Sequence, residues 1–404
     1  MKKNLIKVIS VLLSVALLVA IVPTSAFAKN TETGLAKIGV MTDLHYYAQE
    51  NIDDKDKCTE VCEQTISTSH LADAILNTAL DFYKVQAEQG KLEYLLIPGD
   101  LTKDGDYESH VKLAEILEAW EEETGVSVIV TNGNHDINNP NAQTFENGKF
   151  VKGARNTTPE EFREIYDNLG YDLAVEEFNP PSGEKAGALS YVAQLENGYR
   201  IVVMDGGMYT ADNTESGLDE KETGGQFSEA VFEWITEQIQ ESKELGYSVI
   251  GMTHWNMVPH YPEKELSVFT DFCIEDCEYV SECLADAGMQ YVFTGHLHVH
   301  DVAQHISDKG NIIYDIATAS VINFPNLLRL VTFDNTQEGV ITADIKSHAF
   351  DELKPLEYNG VTYEQPFSNY CFGINFVGDS AKDMLMDLLG YYIDVYSVEI
   401  KEAG

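Results

Sequence analysis

Aspartate, histidine and asparagine recur in short clusters, each directly after an apolar run: Asp43-Leu44-His45, Gly99-Asp100, Gly133-Asn134-His135-Asp136, His254 and Gly295-His296-Leu297-His298. Carboxylate, imidazole and amide oxygen together form a mixed nitrogen and oxygen donor set, which suits manganese, iron, zinc or nickel better than calcium. One such residue alone has a plainer explanation, since Asp43 or Asp100 could cap a following helix and His254 could be a hydrogen-bonded core histidine. The stretch VFTGHLHVHD could likewise place His296, His298 and His300 on one wet strand face. Recurrence at five strand ends makes the clusters read instead as corners of one metal cage, because open α/β sheets bind their ligands at the carboxyl ends of strands.

The chemistry of phosphoesters explains why such a cage would be built. A phosphoester is an anion that repels hydroxide, so its hydrolysis needs charge neutralised at the phosphoryl oxygens and a nucleophile available near neutral pH. Two divalent ions about 3.5 to 4 Å apart, sharing one carboxylate, supply both. Asp100 is the candidate for that shared carboxylate. With Asp43 and Asp100 as the only ionised ligands, the cage keeps a local excess of about two positive charges.

The elements that must carry these residues follow from periodicity. Strands are predicted at Ala36 to Thr42, Glu93 to Pro98, Val126 to Thr131, Leu189 to Leu195, Arg200 to Met204, Ser248 to Thr253 and Gln290 to Thr294. Helical patterns lie between them at Thr68 to Glu88, Glu108 to Glu123, Ser228 to Leu245 and Tyr279 to Ala287. The alternation predicts an α/β layered domain. Further strands at Ile312 to Ile316, Leu327 to Phe333 and Val340 to Ser347 are expected to form a second sheet completing the core. The insertion at about residues 137–187 carries a helix start at Thr158, Pro159 and Glu161 and reads as a cap over a site. Residues 351–404 read as a C-terminal extension with a helix from Ser380 to Leu389.

Charge narrows the partners. The formal charge of the 404-residue chain is −41, and it becomes −44 once Lys2, Lys3 and Lys7 are lost with residues 1–28. A field of this sign, with only four arginines in the whole chain, excludes a basic nucleic-acid groove, so no duplex is expected as partner. Residues 1–28 combine a lysine-rich start, an apolar run and Ala26-Phe27-Ala28, which is the pattern of a cleavable secretory signal; an uncleaved anchor is the alternative. No later segment is long and apolar enough to cross a bilayer, so an exported protein, secreted or held at the cell surface, is expected. Oxidising export would permit disulfides among Cys58, Cys62, Cys273, Cys277, Cys283 and Cys371. Five of these lie in the insertions after His45 and His254, where a disulfide could clip the two together.

In order along the chain, D-x-H, G-D, G-N-H-D, H and G-H-x-H resemble the calcineurin-like metallophosphoesterase superfamily, over about Ile38 to Phe333. GDLTKDGD, GNHD and GMTHWNMVPHYP are similar to a secreted bacterial branch near the cyclic-nucleotide-type phosphodiesterases. The resemblance implies two mixed β-sheets packed as a sandwich flanked by helices, the four-layer αββα arrangement, with a catalytic domain at residues 29–350. It further implies one divalent metal held by Asp43, His45, Asp100 and His298, and a second by Asp100, Asn134, His254 and His296. His135 would serve as general acid or charged stabiliser of the leaving oxygen, oriented by Asp136 or Asp104. His260 is a weaker candidate for touching substrate, and His300 is expected at the surface, with a partner role behind the ligands as the alternative. The expected function is a dinuclear-metal phosphodiesterase in which a metal-bridged hydroxide attacks phosphorus. The alternatives are a phosphomonoesterase and, from another class, a non-catalytic surface protein that binds metal or phosphate. Protein phosphatases resemble G-D-x-x-D-R-G; this chain has GDLTKDG and lacks that arginine.

Overall fold

A computed structural model of the protein describes residues 29–349 except 66, 183, 209–223, 261–271 and 324–325, together with three short strands further on. In chain order the strands are β1 (Leu35–Val40), β2 (Tyr94–Pro98), β3 (Ser127–Thr131), β4 (Gln143–Glu146), β5 (Lys149–Lys152), β6 (Ala174–Glu177), β7 (Tyr191–Gln194), β8 (Tyr199–Val203), β9 (Ser248–Met252), β10 (Tyr291–Thr294), β11 (Val299–Ile306), β12 (Ile312–Ala317), β13 (Leu327–Asp334), β14 (Thr342–Ala349), β15 (Leu356–Tyr358), β16 (Val361–Tyr363) and β17 (Phe376–Val377). The helices are α1 (Lys55–Thr65), α2 (Ala72–Glu88), α3 (Tyr107–Thr124), α4 (Pro159–Ile165), α5 (Glu229–Glu244) and α6 (Cys277–Ala287).

Two mixed sheets result. One runs β14-β13-β1-β2-β3, and the other β17-β11-β12-β10-β9-β8-β7-β6. The strands that end in the clusters pair in parallel, β1 with β2, β2 with β3, and β9 with β10, so neighbouring clusters emerge on the same edge. Strand parity sorts the side chains into layers. Ile201, Val203, Ile250, Met252 and Phe293 face the first sheet in one core, while Val192, Val202, Val249 and Val292 meet Val231, Ile235 and Ile239 of α5 and Leu284 of α6 in another. Every second residue of a two-sided buried strand belongs to a different core. Each full burial of such a side chain contributes about 1.5–3 kcal/mol, so the sandwich holds the site from both sides.

The predicted strands and helices that lie within the described residues form, with ends shifted by at most four residues. The expectation of a separate second sheet after His300 is corrected. β12 joins the sheet of β9 and β10, whereas β13 and β14 extend the sheet of β1. An edge position open beside β1 took β13 in antiparallel register, Ile38 opposite Val331; local periodicity carries no information about that choice. Strand β11, helix α1 and the β4-β5 hairpin were not anticipated as elements. The helix at Ser380 to Leu389 lies outside the described residues.

The insertion after Ile137 is partly built into the core. Phe145, Phe162 and Tyr166 are fully buried, and Tyr166 reaches His110 of α3, hydroxyl to Nδ1, at 2.8 Å. Its helix starts as the sequence indicates. Thr158 Oγ1 accepts from the Glu161 amide at 3.2 Å and Glu161 Oε2 accepts from the Thr158 amide at 3.0 Å, with Pro159 in the first turn. Thr158→Ala is therefore expected to cost about 1 kcal/mol, read as a lower urea midpoint at unchanged slope. An unmoved midpoint would mean that the box contributes nothing to stability.

Candidate functional site

The backbone at the cluster residues is unusual. Asp43 (φ 52°), His45 (φ 40°), Asp100 (φ 48°), His296 (φ 65°) and His298 (φ 55°) all lie in the left-handed region, which costs a residue with a Cβ on the order of 1 kcal/mol. A strand that must stop and aim its next side chain back across the sheet edge needs such a turn, and the surrounding structure holds it there. The glycines of the clusters have a different task. A Cβ on Gly99 would overlap the ring of His254, one on Gly133 would overlap Asp100, and one on Gly295 would overlap Thr42 and Asp43. Each glycine thus clears room for a residue arriving from another strand.

The seven side chains named as candidate metal ligands meet. His298 Nε2 lies 3.2 Å from Asp43 Oδ1 and 3.4 Å from His45 Nε2. His254 Nε2 lies 3.1 Å from His296 Nδ1, 3.1 Å from Asn134 Oδ1 and 3.3 Å from Asp100 Oδ1. Asp100 stands between the two groups, its other oxygen 3.6 Å from His45 Nε2. Both carboxylates are buried and aimed by amides: His135 N donates to Asp100 Oδ1 at 3.0 Å, and His296 N lies 3.2 Å from both oxygens of Asp43.

The donor set itself tests whether cations fit. His254 Nδ1 can only donate to the Pro98 carbonyl, 2.9 Å away, so in the neutral ring the lone pair is on Nε2. That lone pair faces an amide oxygen, a carboxylate oxygen and another imidazole nitrogen. Acceptors converging at such distances in a buried place repel one another unless positive charge sits among them. The ionisation of the groups reflects the same demand. Burial alone would raise the Asp43 and Asp100 carboxyls, yet the neighbouring imidazoles, His298 for Asp43 and His254 for Asp100, hold both below the usual range. Burial alone would depress His254, yet Asp100 and Asp43 push it up to about 9. His45 is pushed down to about 3 by burial. The residues fit divalent cations in two sets that share Asp100.

His135 sits at the open side of the cluster, its side chain 36% exposed. Its Nδ1 donates to the Lys103 carbonyl at 2.6 Å, so Nε2 is turned toward the Asp100 side. Burial tends to depress this imidazole, but the charges of Asp100 and Asp104 raise it above its ordinary value. The Asp136 carboxylate is spent on the loop backbone, accepting from the amides of Leu101 at 3.1 Å, Thr102 at 2.9 Å and Gly133 at 2.7 Å. Asp104 Oδ1 is 3.9 Å from His135 Nδ1, and Asp104 is itself held by Lys103 and Gln143.

Two further expectations change. His300 is buried, not exposed, with Nε2 2.7 Å from Ser347 Oγ and Nδ1 accepting from the Ala319 amide at 3.3 Å. His260 is buried between carboxylates, Nδ1 3.2 Å from Asp301 and Nε2 3.6 Å from Asp315. Among the described residues no disulfide clips the two insertions together; Cys58 and Cys62 instead face each other on α1 with sulfurs 3.7 Å apart. Cys371 lies outside the described residues.

Sequence reasoning missed two buried aspartates. Asp315 interrupts an apolar strand, Ile312–Ala317, and that break in pattern was the available signal. Its carboxylate accepts from the amides of Met257 at 2.7 Å and Val258 at 3.0 Å and from Thr294 Oγ1, tying the loop after His254 to the strand before His296. Asp205 ends β8 much as Asp43 and Asp100 follow β1 and β2, and accepts from Asn132 Nδ2 at 2.9 Å, beside the Gly133 loop.

A family model described as calcineurin-like phosphoesterase matches residues 36–300. No curated protein sequence matches. Solved structures similar to this chain include a dimetal phosphatase from Danio rerio, 14% identical over 78% of this chain and 99% of that one, with a TM-score of 0.45. A purple acid phosphatase from seeds of yellow lupin, Lupinus luteus, is 10% identical over 82% of this chain and 53% of that one, TM-score 0.38. The anchor protein of the inner membrane complex of Plasmodium is 10% identical over 78% and 88%, TM-score 0.34.

Because a Cβ at residue 133 would collide with the Asp100 carboxylate, Gly133→Ala is expected to separate the two halves of the cluster. Elemental analysis should find bound metal reduced to background while far-ultraviolet circular dichroism stays native. Full metal content in this variant would mean that the loops are not as tightly apposed as described.

Proposed function

Because the chain belongs to the calcineurin-like phosphoesterase family, and its fold is a phosphoester hydrolase fold with a candidate dinuclear metal site, we propose that it is an exported phosphodiesterase acting on small phosphoesters. The observation that carries the reading is the convergence of acceptor atoms from Asp43, His45, Asp100, Asn134, His254, His296 and His298, with His135 at the open side. Asp43, His45, Asp100 and His298 would hold one divalent cation, and Asp100, Asn134, His254 and His296 the other. When bound, two such cations neutralise the phosphoryl oxygens and lower the pKa of water enough to make it a nucleophile at neutral pH.

The chain's own residues do the rest. Asp100, between the two ligand sets, keeps them at a common separation. His135 carries a proton on the nitrogen turned into the site, and its neighbours Asp100, Asp104 and the Lys103 carbonyl favour the charged ring, so it can protonate a departing alkoxide. Residues 137–187 act as a cap, whose β4-β5 hairpin reaches the His135 side through Gln143 and Asp104. The lysine-rich start, apolar run and small-residue cleavage pattern of residues 1–28 support export, and no described helix is long and apolar enough to cross a membrane.

Two features favour a diester over a monoester. A monoester dianion asks for more positive charge than the centre supplies, commonly from arginine. Among the described residues, Arg155 and Arg163 pair with glutamates on the insertion, while Arg200 and Arg329 are buried, Arg200 donating to Ser242 and Gln194 and Arg329 to Thr318 and the Asp301 and Ala317 carbonyls. Lys103, beside His135, is paired with Asp104. A diester with a single negative charge fits this balance.

Asp100→Ala and His254→Ala are expected to lose metal and nearly all hydrolysis of bis-nitrophenyl phosphate. His135→Ala should keep its metal and lose about 10²- to 10⁴-fold on esters with alkoxide leaving groups, and less on nitrophenyl esters, whose leaving group needs no proton. Faster turnover of mono-nitrophenyl than of bis-nitrophenyl phosphate would replace the diesterase reading by a phosphomonoesterase.

A further inference from the structure

The loop that follows β12 lies outside every recognised cluster, yet it touches two residues of one ligand set. Ser320 Oγ donates to the Asp43 carbonyl at 2.9 Å, and the Val321 amide donates to the Thr42 carbonyl at 3.2 Å, so the loop is laid along the end of β1. Within it the Asn323 amide bonds the Ser320 carbonyl at 3.3 Å, and Asn326 Nδ2 bonds the Val321 carbonyl at 2.6 Å. Thus braced, the buried Asn323 places its side-chain amide 2.6 Å from His298 Nδ1.

We infer that Asn323 is the positioning residue for His298, setting which ring nitrogen faces the metal; this rests on the dinuclear reading above. His298 Nε2 points at Asp43 and His45. To offer a lone pair there, the neutral ring must carry its hydrogen on Nδ1, and that hydrogen needs an acceptor. The Asn323 amide supplies its oxygen when turned end for end about its last bond, the two ends being alike in shape. A ligating histidine is held in tautomer and orientation by the partner of its other nitrogen, and removing such partners typically weakens metal binding about 10- to 100-fold. Because the same loop grips Asp43, Asn323 also ties the His298 ring to the carboxylate it must share a cation with.

The test titrates Zn²⁺ alone, by isothermal calorimetry, into wild type, Asn323→Leu and Asn323→Asp, all stripped of metal. Wild type should bind two equivalents. Asn323→Leu, similar in size and unable to accept a hydrogen bond, should bind one equivalent about 10- to 100-fold more weakly and leave the other unchanged. Asn323→Asp, which can accept, should restore it. Should Asn323→Leu fail to fold, Asn323→Ser, too short to reach the ring, takes its place under the same criteria. Two equivalents bound as in wild type by the non-accepting variant overturn the inference, as does equal weakening of both without rescue by Asn323→Asp. A wild-type protein that binds no Zn²⁺ overturns the dinuclear reading itself.

Discussion

Nitrogen and oxygen donor atoms that converge and must share positive charge are what the architecture is organised to hold. The Nε2 of His254, the oxygens of Asn134 and Asp100 and the Nδ1 of His296 crowd within about one hydrogen-bond length, and the Asp43, His45 and His298 group does the same beside them. Left to itself such a cluster would fly apart or fill with water and protons. It persists because two packed sheets set the strand ends at fixed separations, and because interiors of this density do not deform continuously. The repulsion stored in the acceptors becomes affinity for divalent charge.

Several features that look independent serve this one constraint. Left-handed backbone at Asp43, His45, Asp100, His296 and His298 turns the side chains inward, at a conformational cost that the sandwich absorbs. Glycines 99, 133 and 295 remove the Cβ atoms that would keep ligands from different strands apart. Asp136 spends its carboxylate on the amides of Leu101, Thr102 and Gly133, locking the loops of Asp100 and Asn134 together, and burial with the nearby Asp100 charge pushes it up to about 7. Asp315 performs the corresponding service for the loops of His254 and His296. Buried polar networks of this kind are stable only when nearly every member is satisfied.

The strongly negative chain and the cationic demand of its centre are two sides of one arrangement. Acidic surface repels anions in general, so a phosphoester is drawn in only where local positive charge exceeds the background. Neutral imidazoles and an amide outnumber the two carboxylates in the candidate ligand set, so it would cancel only about half the charge of two divalent cations. His135, held by the Lys103 carbonyl, lies at the open side, where Asp100 and Asp104 favour its charged form.

Much of this was legible in the amino-acid order. Residue types at the ends of Ala36 to Thr42, Glu93 to Pro98, Val126 to Thr131, Ser248 to Thr253 and Gln290 to Thr294 named the ligand candidates, because donor chemistry and strand periodicity are local properties. The capping box at Thr158 was equally local. Long-range pairing was not: β13 and β12 went to different sheets, His260 and His300 were buried, and Asp104 rather than Asp136 came nearest the His135 ring. Which nitrogen of an imidazole faces a cavity, and which carboxylate lies beside it, depends on contacts between residues far apart in the chain. The sequence alone therefore determined which atoms were available for chemistry, and only the tertiary structure decided how they point at one another, since hydrogen bonds and close packing act on geometry that no local pattern encodes.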